Sequence, residues 1–429
     1  MATIKIKCLN DLEIDPETCS LEELERVQKL CEIEREYWNT MQLSAKTFIN
    51  SVYGVFGTVF FNLCNIDIAE SITLQGQDLI KYSVRHVDSY FKDLWHNDYE
   101  GHKRVSDIMI NEFGIKDFNR ERFENLARTP LNFKSLQIYG DTDSAYITMQ
   151  PLLTAYEIPD EYMIKFCLSV YKAVLEKYLD DKFDEYAEKF HCHENLEKFE
   201  LEKISRSVIM LAKKNYMCDV AWVDPDMFYD QGHHITYTGY DVVKGATTDF
   251  CRNEMKKFTE FCFKKIAEGK IPTQGECVQM LRDAKKRFSM QSPNEIGKTV
   301  SISEYEKFVK SDNQSQIEYF DYDNLKDRKI AVPIHVRAAS IYNNYILYKN
   351  RELLSKYELL KSGDKIRFYY TGPDDVFGFI PDNFPYEFAP PVDIDVQFEK
   401  SLLAPINRIV VALGLNEIPP SLTYSVSLF

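Results

Sequence analysis

Residues 139–144 read Tyr-Gly-Asp-Thr-Asp-Ser, with Gln137 and Ile138 before them and Ala145, Tyr146 and Ile147 after. Aromatic and β-branched residues flank a short polar run containing glycine, the signature of two strands joined by a tight turn. The spacing predicts a hairpin over residues 136–149. In an extended chain alternation puts Asp141 and Asp143 on one side and Thr142 on the other. Two carboxylates so placed supply hard oxygen ligands of the kind Mg²⁺ takes, leaving other positions to water and phosphate. Two such ions about 3.5–4 Å apart lower the pKa of an attacking hydroxyl and neutralise a leaving oxygen. The competing reading is a polar turn whose Asp side chains cap backbone N–H groups.

A second constellation lies upstream. Lys46, Asn50 and Tyr53 stand at i, i+4 and i+7, so a helix places them on one stripe. A cation, an amide and a phenol there can reach a phosphate, a sugar edge and a base plane. Gly54 follows, and its lack of a side chain lets a flat group approach the backbone. An ordinary surface lysine beside a packed tyrosine is the alternative. The third constellation is Lys213, Lys214 and Tyr216, paired cations and an aromatic leading into a strand, which suits phosphate neutralisation and groove contact.

At 429 residues and 45% hydrophobic, the chain can bury a large core as two or three domains. Net charge is −15, which opposes non-specific coating of nucleic acid. The stretch from Arg252 to Lys298 is nevertheless locally basic, compatible with DNA in one cleft or with a solvated helix face. No apolar run approaches the ~20 residues of a membrane span, and no signal-peptide pattern is read at the start. Ten cysteines without CxxC spacing indicate neither a zinc ribbon nor a disulfide framework, and a reducing cytoplasm is the expected setting.

Helical periodicity begins at Ser20, where Glu23 completes a capping box, and runs to Gly54 and Gly57. A short strand is expected at Phe60–Leu63 and a second long helix at Ala69–Leu94. Residues 96–128 read as a polar, irregular surface excursion. A helix fits Glu161–Leu179, and strands fit Lys198–Ile209, Tyr216–Val223 and Ile235–Tyr240. Helices return from Thr248 to Phe288, then at Ala338–Leu347 and Asp395–Leu413, with a strand at Lys365–Thr371. A composition shift near Gly245 is the best domain boundary. The clusters His191-Cys192-His193 and His233-His234 lack a tetrahedral ligand set and read as surface polar residues.

Taken in order, the three constellations resemble the family B DNA polymerases, most closely the replicative polymerases of T-even-type bacteriophages. Lys46 to Gly54 is similar to that family's fingers-helix motif, Tyr139 to Ser144 to its palm metal motif, and Lys213 to Tyr216 to its Lys-Lys-x-Tyr motif. His335-Val-Arg-Ala-Ala-Ser-Ile-Tyr resembles a thumb segment near the duplex, and Phe398 to Ile406 the last thumb helix. Asn215 departs from the family, which often has Arg there. The resemblance implies an α+β fold: an antiparallel palm sheet flanked by helices (58–245), part of a helical fingers domain (1–57) and a mainly helical thumb (246–429).

It further implies that Asp141 and Asp143 ligate two Mg²⁺ ions, with Mn²⁺ as a substitute. Lys46 and Asn50 would meet the dNTP triphosphate, Tyr53 and Gly54 the nascent base pair. Lys213, Lys214, Tyr216, His335 and Arg337 would contact primer–template DNA, and the terminal Leu428 and Phe429 a sliding clamp. The family's Asp-x-x-Ser-Leu-Tyr-Pro motif, which carries a third carboxylate, has no match; Asp88-Ser89-Tyr90 is only superficially similar. The expectation is therefore a C-terminal polymerase subunit or fragment that transfers nucleotides once an N-terminal polymerase/exonuclease part supplies the missing carboxylate. A catalytically degenerate DNA-binding or clamp-recruiting module is the alternative.

Overall fold

The computed structural model describes residues 20–141, 144–225, 227–229, 231–311, 318–320, 331–349 and 351–424. The chain divides into two compact units, one of residues 1–93 with 132–148 and the other of 94–131 with 149–429. Helices and antiparallel sheets make up both, an α+β fold.

The first unit holds helices α1 (Leu21–Phe56) and α2 (Ile66–Ser89) and strands β1 (Gln137–Asp141) and β2 (Ser144–Ile147). α1 starts as expected: the Ser20 hydroxyl accepts the Glu23 N–H while the Glu23 carboxylate accepts the Ser20 N–H. Two freed donors of the first turn are satisfied in this way. Gly57 caps its far end. The strand expected at Phe60–Leu63 is instead a pair of turns, closed by Phe61 N–H to Thr58 O and Cys64 N–H to Phe61 O, and Asn65 N–H to Phe56 O closes the loop. Apolar composition there mimicked a strand, but no partner strand among the described residues pairs with it. Asn65 then caps α2, accepting the Ile68 N–H at 3.1 Å.

No residue of α1 is buried. Leu24, Val27, Cys31, Glu34, Trp38, Met41, Ala45, Phe48, Val52 and Val55 nevertheless recur at alternating intervals of three and four. That is the spacing of a coiled-coil seam, and nine of its ten positions are uncharged and mostly apolar. Trp38 is 60% exposed and Phe48 71%, far from the interior position such side chains take when a partner covers them. Lys46, Asn50 and Tyr53 lie on a different face of the same helix.

The second unit begins with α3 (Tyr99–Asp107), α4 (Arg120–Ala127), α5 (Gln150–Ala155), α6 (Met163–Val170) and α7 (Glu176–Lys189). The reading of 96–128 as an irregular excursion is thus corrected. Val105, Met109, Phe123 and Ala127 are buried, with the Phe123 ring 5.4 Å from that of Phe166 and 5.6 Å from that of Tyr156. Many charged side chains on short amphipathic helices hid this from composition. The buried Trp95 indole donates to the Tyr156 hydroxyl at 2.7 Å, and His102 Nε2 pairs with the Trp95 carbonyl at 2.8 Å. Burial lowers the His102 pKa, which favours the neutral ring.

An antiparallel sheet follows, of β3 (Lys203–Ala212), β4 (Asn215–Val223), β5 (Met227–Phe228) and β6 (His234–Thr238), with β4 in the centre. Residues 217–222 of β4 are all buried, as a strand covered on both faces requires. Its core includes Ile209, Met217 and Tyr240 together with Met255 and Phe258 of α8 (Asp249–Ala267), Leu281 and Phe288 of α9 (Gln274–Phe288), and Ile406 and Ile409. One core therefore crosses Gly245. The remainder adds β7 (Lys298–Ser301), β8 (Val309–Ser311), β9 (Glu318–Phe320), β10 (Lys365–Tyr370) and β11 (Val376–Phe379), with helix Ile334–Asn344 over the β7–β10–β11 sheet. Asp393 caps the helix Ile394–Phe398 by accepting the Val396 N–H.

Candidate functional site

The hairpin forms where the alternation placed it. β1 and β2 pair antiparallel with Gln137 opposite Ile147, Gly140 opposite Ala145 and Asp141 opposite Ser144, and a bulge falls between Gln137 and Tyr139. The Ser144 hydroxyl donates to the Asp141 carbonyl at 3.2 Å, and the Tyr139 and Tyr146 rings sit 5.7 Å apart. A Cβ at Gly140 would come within 2.7 Å of Gln137 Nε2, the far end of a flexible side chain that can swing aside, and 3.6 Å from the Ser144 carbonyl oxygen. Thr142 and Asp143 lie outside the described residues, so of the expected carboxylate pair only Asp141 is placed, half-buried at the end of β1.

α2 holds the base of this hairpin. Asp88 Oδ1 accepts the N–H of the fully buried Leu136 at 2.8 Å, and Lys92 Nζ donates to the Lys134 carbonyl at 2.8 Å. The Asp88 carboxylate therefore serves a backbone amide at the hairpin entrance. The run Asp88-Ser89-Tyr90 carries no local sequence pattern that announces this contact across 48 positions.

The second constellation lies in the same unit. Lys46, Asn50, Tyr53 and Gly54 are all exposed on α1, and Lys46 forms no ion pair among the described residues. The Tyr53 hydroxyl lies 2.9 Å from Thr73 Oγ1 of α2. Thr73 already donates its proton to the Ala69 carbonyl at 3.0 Å, so Tyr53 is the donor. The phenol is thereby fixed while its ring stays 45% exposed. No heavy atom lies within 4 Å of a Cβ built on Gly54, which leaves open space over that backbone.

The remaining expected contacts belong to the second unit. Lys213 and Lys214 form the exposed two-residue link between β3 and β4, Lys214 in the left-handed conformation at φ +57°, and Tyr216 pairs opposite Thr238. His335 and Arg337 occupy the first turn of helix Ile334–Asn344, two residues apart and hence on different faces. Arg337 Nη1 donates to the Asp374 carbonyl at 3.2 Å. Burial lowers the His335 pKa, which favours the neutral ring. Leu428 and Phe429 lie outside the described residues. Their approach is anchored: Arg282 Nε donates to the Leu422 carbonyl at 2.8 Å, and the Lys285 ammonium stands 3.8 Å from the Tyr424 ring centre while pairing with Asp395 at 2.6 Å.

His233 departs from the surface role expected of it. Its Nδ1 lies 2.8 Å from a carboxylate oxygen of Asp219, a residue only 1% exposed, which Arg206 also approaches at 3.5 Å.

Among the described residues no group of three or more His, Cys, Asp or Glu side chains is disposed to hold a metal. Asp141 is a hard oxygen donor of the kind Mg²⁺ takes, and one carboxylate alone is not a ligand set. No helix among the described residues is long and apolar enough to cross a membrane.

The model of DNA polymerase family B matches residues 23–329, well over half of the chain and all three constellations. The chain belongs to DNA polymerase family B. It is 24% identical over 224 residues to the DNA polymerase catalytic subunit of human herpesvirus 6A, 52% of this chain and 17% of that protein. To DNA polymerase 1 of Sulfurisphaera ohwakuensis it is 28% identical over 126 residues, 27% of this chain and 14% of that one. To the DNA polymerase of Choristoneura biennis entomopoxvirus it is 26% identical over 199 residues, 46% of this chain and 18% of the relative. The matched part thus spans under a fifth of the length of these family B relatives.

Proposed function

We propose that the chain is the C-terminal part of a DNA-directed DNA polymerase, holding the end of the fingers (1–57), the palm (58–245) and the thumb (246–429), and that it transfers nucleotides to a primer 3′ hydroxyl only when assembled with an N-terminal polymerase/exonuclease part. The observation that carries this reading is the presence of the Lys46–Gly54 face and the Asp141 hairpin in one compact unit.

On this reading the chain aligns its substrates and neutralises their charge. Lys46, unpaired among the described residues, meets the triphosphate, with Asn50 one turn along. The Tyr53 ring, held through its hydroxyl by Thr73, and the open backbone at Gly54 receive the nascent base pair. Lys213, Lys214, Tyr216 and Arg337 neutralise or contact the primer–template duplex, and His335 does so as an uncharged donor. Asp141 and Asp143 would hold Mg²⁺, or Mn²⁺ in its place, and the ions would supply activation of the attacking hydroxyl and neutralisation of the leaving group.

The exposed 3–4 seam of α1 supports the need for a second part. Such a stripe is buried by a facing helix in stable proteins, and a polymerase portion outside this chain is the occupant, since the relatives extend far beyond the matched stretch. The T-even-type phage character, the split into subunits, the clamp contact of Leu428 and Phe429 and a cytoplasmic location are part of the same proposal.

Primer extension by the chain alone and by the chain with an N-terminal family B part tests it. Extension only in the assembly is expected. Robust synthesis by the chain alone would overturn the shared site. An assembly that binds DNA without metal and extends nothing would indicate a DNA-binding or clamp-recruiting module.

A further inference from the structure

α2 is tied at both ends to the two halves of the chemistry. At its eighth residue Thr73 accepts the proton of Tyr53, whose ring stays 45% exposed on α1. In its last turn Asp88 accepts the Leu136 N–H, and Lys92, one turn beyond, donates to Lys134 O with its ammonium 4.9 Å from the Phe133 ring centre. The Leu136 carbonyl accepts the Thr148 N–H at 2.8 Å, so Asp88 grips the residue that closes the hairpin base. Leu136 is fully buried, and its amide has no water to replace a lost acceptor.

Between Thr73 and Asp88 the helix is unbroken, a stiff rod of about 22 Å at 1.5 Å per residue. From Leu136, five residues of strand lead to Asp141. An apolar side chain at 88 would serve packing alone. A carboxylate on one backbone N–H instead fixes the direction in which the hairpin leaves the helix.

We propose that α2 couples nucleotide contact on α1 to the position of the Asp141 hairpin, with Thr73 and Asp88 as positioning residues. The proposal rests on the nucleotidyl-transfer reading above. A side chain that orders Tyr53 against a base then biases, through α2, the hairpin that receives the primer end; neither residue touches substrate.

The test uses the assembled enzyme on a primer ended by a dideoxynucleotide, so that dATP binds without reacting. Hydrogen exchange of the 136–149 peptide is followed with and without dATP. Protection on binding is expected in the parent. Thr73→Val is expected to abolish that protection while dATP still binds, and Asp88→Ala to abolish it with peptide 136–149 exchanging about tenfold faster throughout. Asp88→Asn, whose amide oxygen still accepts the Leu136 N–H, is expected to restore it. With an extendable primer, the Thr73→Val/Asp88→Ala pair is expected to lower kcat no further than the worse single variant, because one broken link already uncouples the rod. Protection unaltered by Thr73→Val, or losses that multiply, would overturn the coupling and leave the nucleotide site standing. A parent that binds no dATP would overturn both.

Discussion

Asp141 and Ser144 face each other as the last paired residues of the β1–β2 hairpin, and the Ser144 hydroxyl donates to the Asp141 carbonyl at 3.2 Å. This bond engages the backbone carbonyl of Asp141 and ties the end of β1 to the start of β2. Asp141→Asn and Asp143→Asn are each expected to reduce extension by the assembled enzyme, Asp143→Asn by roughly 10³-fold, about 4 kcal/mol in barrier. DNA affinity, measured by fluorescence anisotropy, should survive both. Loss of assembly with either variant would mark the residue as structural.

Lys46 stands on the exposed face of α1, unpaired among the described residues. Its replacement by Ala removes a charge-assisted contact of about 1.5–3 kcal/mol. The KM for dNTP should rise roughly tenfold to a hundredfold, while the helix, which gains nothing from this side chain, keeps its stability. Steady-state kinetics with varied dNTP checks this.

Lys213 and Lys214 form the β3–β4 link and reach solvent. If both meet phosphates, Lys213→Ala with Lys214→Ala weakens binding to all duplex sequences alike. The slope of log K against log salt should fall by about two, near 0.9 for each contact. A slope equal to the parent's would remove both from the duplex interface.

The α1 seam predicts an effect on assembly alone. Met41 and Phe48 are 50% and 71% exposed, so Met41→Glu and Phe48→Glu should leave the melting of the isolated chain within about 0.5 kcal/mol. Each deprives a facing helix of about 1.5–3 kcal/mol of apolar burial. Association with the N-terminal part should weaken by roughly tenfold or more per substitution. Unchanged association, measured by calorimetry, would show that the partner docks elsewhere.

Glu254 of α8 is 5% exposed and carries Arg287 at 2.6 Å and Lys257 at 2.8 Å. Burial alone would raise its pKa, but the bonds from Arg287 and Lys257 outweigh it and hold the carboxyl below its usual value of 4.5. A depressed folded-state pKa gives stability that is complete above about 4.5 and lost as pH falls through the folded value. Arg287→Ala, which leaves Lys257 on the carboxylate, should cost about 1.5 kcal/mol at pH 7 and shift acid unfolding to higher pH. Urea melts across pH 3–7 read both effects.

Much of this protein was legible before any fold was known. Ser20 with Glu23, the alternation around Gly140, and Lys46, Asn50 and Tyr53 at helical intervals are local patterns, and local patterns follow from backbone geometry, which every sequence carries along itself. The same locality misread Phe60–Leu63 as a strand and residues 96–128 as irregular. Strand pairing and burial depend on what another segment brings alongside, as Phe166 does for Phe123. Tertiary structure alone decided that Asp88 grips Leu136 across 48 positions and that Tyr53 is held by Thr73. A hydrogen bond between distant residues has no spacing rule to announce it. Sequence determined which side chains are candidates for the chemistry; packing decided which of them are held in place, because only the fold brings their anchors within 3 Å.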